Sequence, residues 1–118
     1  MEMCYPDSLT QILEILDDLK VRYKYHSWTN TPSDHCFATW FIPSESFDGA
    51  DNMAMYENYT VNIAFYYRDT KKDADFVQER TFEEACRGAG TFSKSNGYDA
   101  NNDLFTTVYT FNFKQFLA

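Results

Sequence analysis

Residues 58–87, NYTVNIAFYYRDTKKDADFVQERTFEEACR, constrain the fold more than any other part of the chain. Tyr59, Val61, Ile63, Phe65 and Tyr67 alternate with Thr60, Asn62, Ala64, Tyr66 and Arg68. That period of two marks a strand with one buried face. Asp69–Lys72 then turn the chain, and Asp73 stands where a cap is expected for a helix running to about residue 87.

The flanking segments supply partners for this unit. Ser8 and Gln11 form a capping-box pattern ahead of Leu9, Ile12, Leu13 and Leu16 at helical spacing, with Glu14, Asp17 and Asp18 toward water. A strand is expected from Val21 to about His26, and a loop at Thr29–Asp34. The stretch His35–Ile42 is apolar on both faces, so its strand is either central or covered by a partner subunit. Pro43 is expected to end it, and residues 44–54, with the Asp48-Gly49 turn signal, read as an extended hairpin connection.

In the second helix Ala74, Val77, Thr81, Ala85 and Gly88 share a face, flanked by Phe82 and Cys86. A short strand at Thr91–Lys94, a turn over 95–103 and a last strand at Leu104–Phe113 complete the order α-β-β-β-α-(β)-β. This order implies an α+β two-layer sandwich: a mostly antiparallel sheet with two helices on its apolar face, formed by a single domain over 1–118.

Composition narrows function. Phe and Tyr supply 20 of 22 aromatics, and apolar residues make up 44% of the chain, which argues for a packed sheet core over disorder. The net charge of −8 repels phosphate, so groove binding of nucleic acid is disfavoured. Residues 1–8, MEMCYPDS, lack the basic and apolar regions of a secretory signal, and no run is long enough to span a bilayer. The odd number of cysteines (Cys4, Cys36 and Cys86), without C-x-x-C spacing, reads as reduced thiols in a cytosolic protein.

Motifs for chemistry are weak. His26, Asp34, His35 and Cys36 are the best metal candidates, but adjacent strand residues point to opposite faces, so convergence is not expected. Cys36 and Cys86 lie in apolar patterns, unlike activated nucleophiles. Glu83-Glu84 and Asp17-Asp18 diverge on helices and read as solvated pairs. No phosphate cradle or nucleophile elbow is present, and the chain reads as a non-enzyme without cofactor or small-molecule substrate. The aromatic excess, Trp28 included, reads as core plus a subunit interface, with Phe47, Met53, Met55 and Tyr56 as the candidate exposed apolar contacts.

The arrangement of Leu19–His26, Thr31–Pro43, Asp48–Tyr59, Tyr59–Tyr67, Lys71–Asp73 and Leu104–Phe113 resembles the small tail-terminator (tail-completion) proteins of long-tailed phages and prophages. The likeness covers nearly the whole chain and rests on aromatic spacing rather than a catalytic signature. It implies a structural role: a ring, usually six-fold, that caps the head-proximal end of the tail tube and meets the head-completion protein. The implied partners are other copies of the chain, the tube protein and the head-completion protein, with DNA only as passing cargo and no membrane. The implied location is the host cytoplasm during assembly, then the head–tail junction of the virion. Asp48 and Asp51 become candidates for the lumen or the subunit contact. The competing class is a small acidic phage-borne inhibitor or DNA mimic. That role needs clustered carboxylates, whereas no acidic run in this chain exceeds two residues.

Overall fold

Five apolar side chains in a row on one strand face require cover, and the chain supplies it with two helices. The computed structural model describes residues 7–49, 55–88 and 91–116, with side chains over 9–46, 57–88 and 91–113. Its elements are α1 (Asp7–Asp18), β1 (Arg22–Tyr25), β2 (Cys36–Gly49), β3 (Met55–Arg68), α2 (Asp73–Ala85), β4 (Phe92–Asp99) and β5 (Leu104–Phe116), with a 3-10 turn at Cys86–Gly88 after α2. The molecule is an α+β two-layer sandwich, with a sheet ordered β1-β2-β3-β5-β4. Three of the strand pairings are antiparallel, and β1 alone runs parallel to its neighbour β2.

The core lies between the helices and one sheet face. Leu9, Ile12 and Leu16 of α1 and Phe82 of α2 are fully buried against Val61, Ile63, Phe65, Tyr109 and Phe111. Phe82 meets Phe65 edge-on at 5.1 Å and lies 5.0 Å from Tyr109, within the preferred range for aromatic pairs. Helix α1 ends in a Schellman motif: Val21 N–H donates to Leu16 O and Lys20 N–H to Asp17 O, with Lys20 at φ 60°. Val21 and Leu16 are both buried, so the motif also fixes where β1 enters the sheet.

Several expectations are corrected. Pro43 does not end its strand; β2 continues to Gly49 past a register shift between Phe41 and Ser44, where Pro is tolerated. Most of the expected 44–54 connection is therefore strand, since Ser44–Gly49 pairs with Thr60–Met55. The expected short strand at Thr91–Lys94 becomes an eight-residue β4, held by eight rungs to β5, so only 100–103 remains a turn. Cross-strand pairing there outweighs the turn propensity of Ser, Asn and Gly.

The face of α2 is also corrected. Asp75, Glu79, Phe82 and Cys86 are buried, whereas Ala74, Val77, Thr81, Ala85 and Gly88 are exposed, Val77 at 66%. The inward stripe keeps helical spacing but carries two carboxylates, which an apolar reading rotates outward. Asp73 is not the cap expected of it: Lys72 holds the N-cap position, and Asp75 Oδ2 accepts the Lys72 N–H at 2.7 Å.

The strands outrun the helices. At about 3.3 Å per residue, the 14-residue β2 and β3 each extend on the order of 46 Å. The 12- and 13-residue helices reach only about 20 Å. Among the described side chains the last buried rung is Tyr59–Phe113, and the β2–β3–β5 ribbon continues beyond it as an arm through the Glu57–Gln115 and Tyr56–Phe116 rungs. The longest dimension is accordingly 53 Å, against 29 and 27 Å for the other two.

Candidate functional site

The two faces of the sheet carry different chemistry. On the helix face, α2 is bonded to the sheet by a connected ionic network. Glu79, only 1% exposed, accepts from Lys71 Nζ at 2.8 Å and from the Tyr67 hydroxyl, and it pairs with Lys94 Nζ at 3.1 Å. Glu83 accepts from Lys94 at 2.8 Å and from the Tyr109 hydroxyl at 2.6 Å. His35 Nε2 donates to Asp75 Oδ2 at 2.7 Å, and Gln78 Nε2 approaches Cys36 Sγ at 3.4 Å. Two carboxylates and two ammonium groups balance within the Glu79–Glu83 cluster, which makes burial of charge tolerable.

The electrostatics follow from these contacts. Burial opposes ionisation of Glu79, but hydrogen bonds from Lys71, Tyr67 and Lys94 outweigh it and hold its pKa below the usual range. Glu83 is likewise lowered, with burial overcome by Lys94 and Tyr109. Lys94 is raised, because Glu83 and Glu79 outweigh its desolvation. Burial and the adjacent carboxylates push the Tyr67 and Tyr109 hydroxyls up. Burial pushes the Cys36 and Cys86 thiols up to about 12, against the direction a nucleophile needs. The network bolts α2 to β3, β4 and β5.

The expected surface sites fall differently. His26 stacks edge-on with Phe41 at 4.7 Å, while His35 turns to Asp75. Among the described residues no group of three or more His, Cys, Asp or Glu is placed to hold a metal. Trp28 is half-buried: its indole N–H donates to Ala38 O at 3.0 Å, and its ring packs edge-on against Phe37. The 26–35 connection thus folds over the second sheet face and buries Phe37 with the chain's own residues, helped by Tyr66 stacking and the Arg68 guanidinium 5.6 Å away. Arg68 is fixed there by Asp34 O and Pro32 O. Phe47, Asp48, Met55 and Tyr56 lie on the paired backbone of the β2–β3 arm, outside the described side chains. Asp51 and Met53 lie outside the described residues.

Across β2–β5 the middle of the second face is neutral, with Lys24 of β1 flanking it opposite Thr39. Register places Thr39, Ala64, Val108 and Ser95 in one row across the sheet and Phe41, Asn62, Thr110 and Ser93 in the next. Ser44, Thr60 and Asn112 follow toward the arm. Thr110 donates to Asn62 at 3.1 Å and Thr60 to Asn112 at 3.0 Å. A concavity of about 270 Å³ opens among Ser44, Ser46, Asn58, Thr60 and Asn112. A smaller one, about 160 Å³, lies between the Trp28 loop and the Asp99–Asn102 turn over Tyr66. Asp99 is occupied locally, accepting the Asn101 N–H and the Asn102 side-chain amide.

The ionic network escaped the sequence reading, because Glu79 and Glu83 look like solvated helix residues and Lys71 and Lys94 like turn and edge residues. One signal was available: Asp75, Glu79, Phe82 and Cys86 keep a helical stripe opposite Tyr67 and Tyr109, whose hydroxyls need partners when buried. Comparison with protein-family models and with curated proteins finds no match. No helix among the described residues is long and apolar enough to cross a membrane.

Proposed function

We propose that the chain is a structural subunit of a long-tailed phage or prophage, a tail terminator that caps the tail tube and joins it to the head-completion protein. The observation that supports this reading best is the β2–β3–β5 arm, which extends past the helix layer and offers strand edges to neighbours. Below Trp40 the outer edge of β2 runs beyond the four-residue β1 and pairs with no other strand among the described residues, which suits the addition of another chain. The element order and aromatic spacing are those of the terminator resemblance. A ring would need a heterologous contact whose rotation closes and two different faces for its two axial partners.

A second reading, an acidic inhibitor that imitates DNA, draws support from where the carboxylates lie. Exposed Glu14, Asp17 and Asp18 on α1 and Asp73 and Glu84 on α2 all belong to the helix layer. One experiment separates the two: native mass across a concentration series, imaged by negative stain, with and without tail-tube protein. Closed rings near six copies, alone or on tube tips, are expected, with Asp48→Lys and Asp51→Lys reducing assembly or DNA passage. Monomers that ignore the tube but bind basic DNA-handling proteins would replace the terminator with the inhibitor.

A further inference from the structure

We infer that the neutral face of the sheet is a docking surface for a second copy of this chain. The chain is 24% charged, and an ordinary solvated surface carries charge at about that frequency. Yet across β2, β3, β5 and β4 the three rows running from Thr39–Ser95 to Ser44–Asn112 contain no acidic or basic side chain. Arg22, Arg68 and Asp99 gather instead at the end beside the Trp28 loop, and Lys24 of β1, which flanks the first row opposite Thr39, turns over the Trp28 ring. Charge depletion at the centre of a patch is the compositional mark of an interface.

Electrostatics also selects the partner. Two molecules of net charge −8 repel each other through their helix layers, where α1 and α2 display their carboxylates. The neutral face is the surface on which copies approach without setting carboxylate against carboxylate. The three rows, about 20 Å along the strands and four strands wide at spacings of about 4.8 Å, offer on the order of 400 Å², so they supply the centre of the contact and flanking surface supplies the rest. A specific interface takes about 800 Å² from each partner. The side chains at its middle, Ala64, Val108, Asn62 and Thr110, are short and half-buried, so ordering them costs little entropy.

Neutral face against neutral face pairs two copies, so the contact does not rest on the proposed ring, which needs a further, heterologous contact. The test is sedimentation of the full chain over a micromolar concentration series, for wild type and for Ser95→Glu, Thr110→Glu and Ser95→Gln. Ser95 is exposed, so its variants do not depend on repacking; circular dichroism checks the fold of each. Wild type is expected to associate, both Glu variants to weaken association by about tenfold or more, and Ser95→Gln to stay near wild type. A wild type that remains monomeric, or an assembly unaffected by both Glu variants, overturns the inference. A closed dimer lost in Ser95→Glu keeps the neutral face and ends the six-fold ring. A ring indifferent to both Glu variants keeps the ring and ends the neutral face.

Discussion

The sheet presents two polar surfaces that obey opposite rules. Under α2 the polar groups are charged and buried, and they are bonded to one another: Glu79 alone is held by Tyr67, Lys71 and Lys94. On the other side they are neutral, short and half-open, bonded in cross-strand pairs such as Thr110–Asn62. Buried charge is costly to leave unpaired, so the first surface serves the fold. Neutral hydroxyls and amides at a half-open surface exchange partners with water at little cost, so the second remains available for contacts. The contrast teaches where to look for function: away from the densest cluster of ionisable groups.

The largest effect that tests this contrast is removal of Glu79. Glu79→Leu strands Lys71 in a half-dry site, leaves Lys94 to Glu83 alone and removes the Tyr67 acceptor. We expect a loss of about 3–5 kcal/mol in urea unfolding at neutral pH. The double variant Glu79→Met with Lys71→Met should cost less than the two single changes added, because each removes the other's orphaned charge. Losses below about 1 kcal/mol would mean the network is solvated and the two surfaces are alike.

The layered α+β architecture and its element order were legible because the strands and helix α1 carry clean periodicities, as at Tyr59–Tyr67 and Leu9–Leu16. The face of α2 was not, because its inward stripe reads Asp75, Glu79, Phe82 and Cys86, and carboxylates read as outward wherever their partners are unseen. Those partners, His35, Tyr67 and Lys94, come from separate parts of the chain and meet only after folding. The extent of β2 and β4 was hidden for a related reason. Pro43 and the Ser-Asn-Gly run at 95–97 are local breakers, and only the rungs to β3 and β5 override them. The neutral face could be read as alternation but not as a surface, since its emptiness of charge appears only when four strands are set side by side.

Acid and base sharpen the comparison next. Glu79 and Glu83 have folded pKa values lowered from 4.5. The stability they contribute is therefore present above about 4.5 and is lost as pH falls through their lower folded values. Tyr67 and Tyr109 are raised from 10.0 and Lys94 from 10.5, so their contribution is present below those values and is lost as pH rises beyond them. Urea midpoints should form a plateau between roughly pH 5 and 9 with both flanks falling. Glu79→Gln should lower the plateau and flatten the acid flank. Wild-type and Glu79→Gln profiles of identical shape would show that titration of the network does not govern stability.

The smallest expected effect comes from the opposite surface. Thr110→Val keeps the β-branched shape and strand preference of Thr110 while deleting the hydroxyl that donates to Asn62 Oδ1. Asn62 is only half-buried, so water can replace the lost donor, and the change in unfolding free energy should stay within about 0.5 kcal/mol. The urea slope and the acid flank should match wild type, because no charged group lies in these rows. A loss above about 1.5 kcal/mol would mean that the fold depends on the Thr110–Asn62 pair much as it does on Glu79. The neutral face would then owe its composition to internal bonding, and its lack of charge would no longer point to a partner.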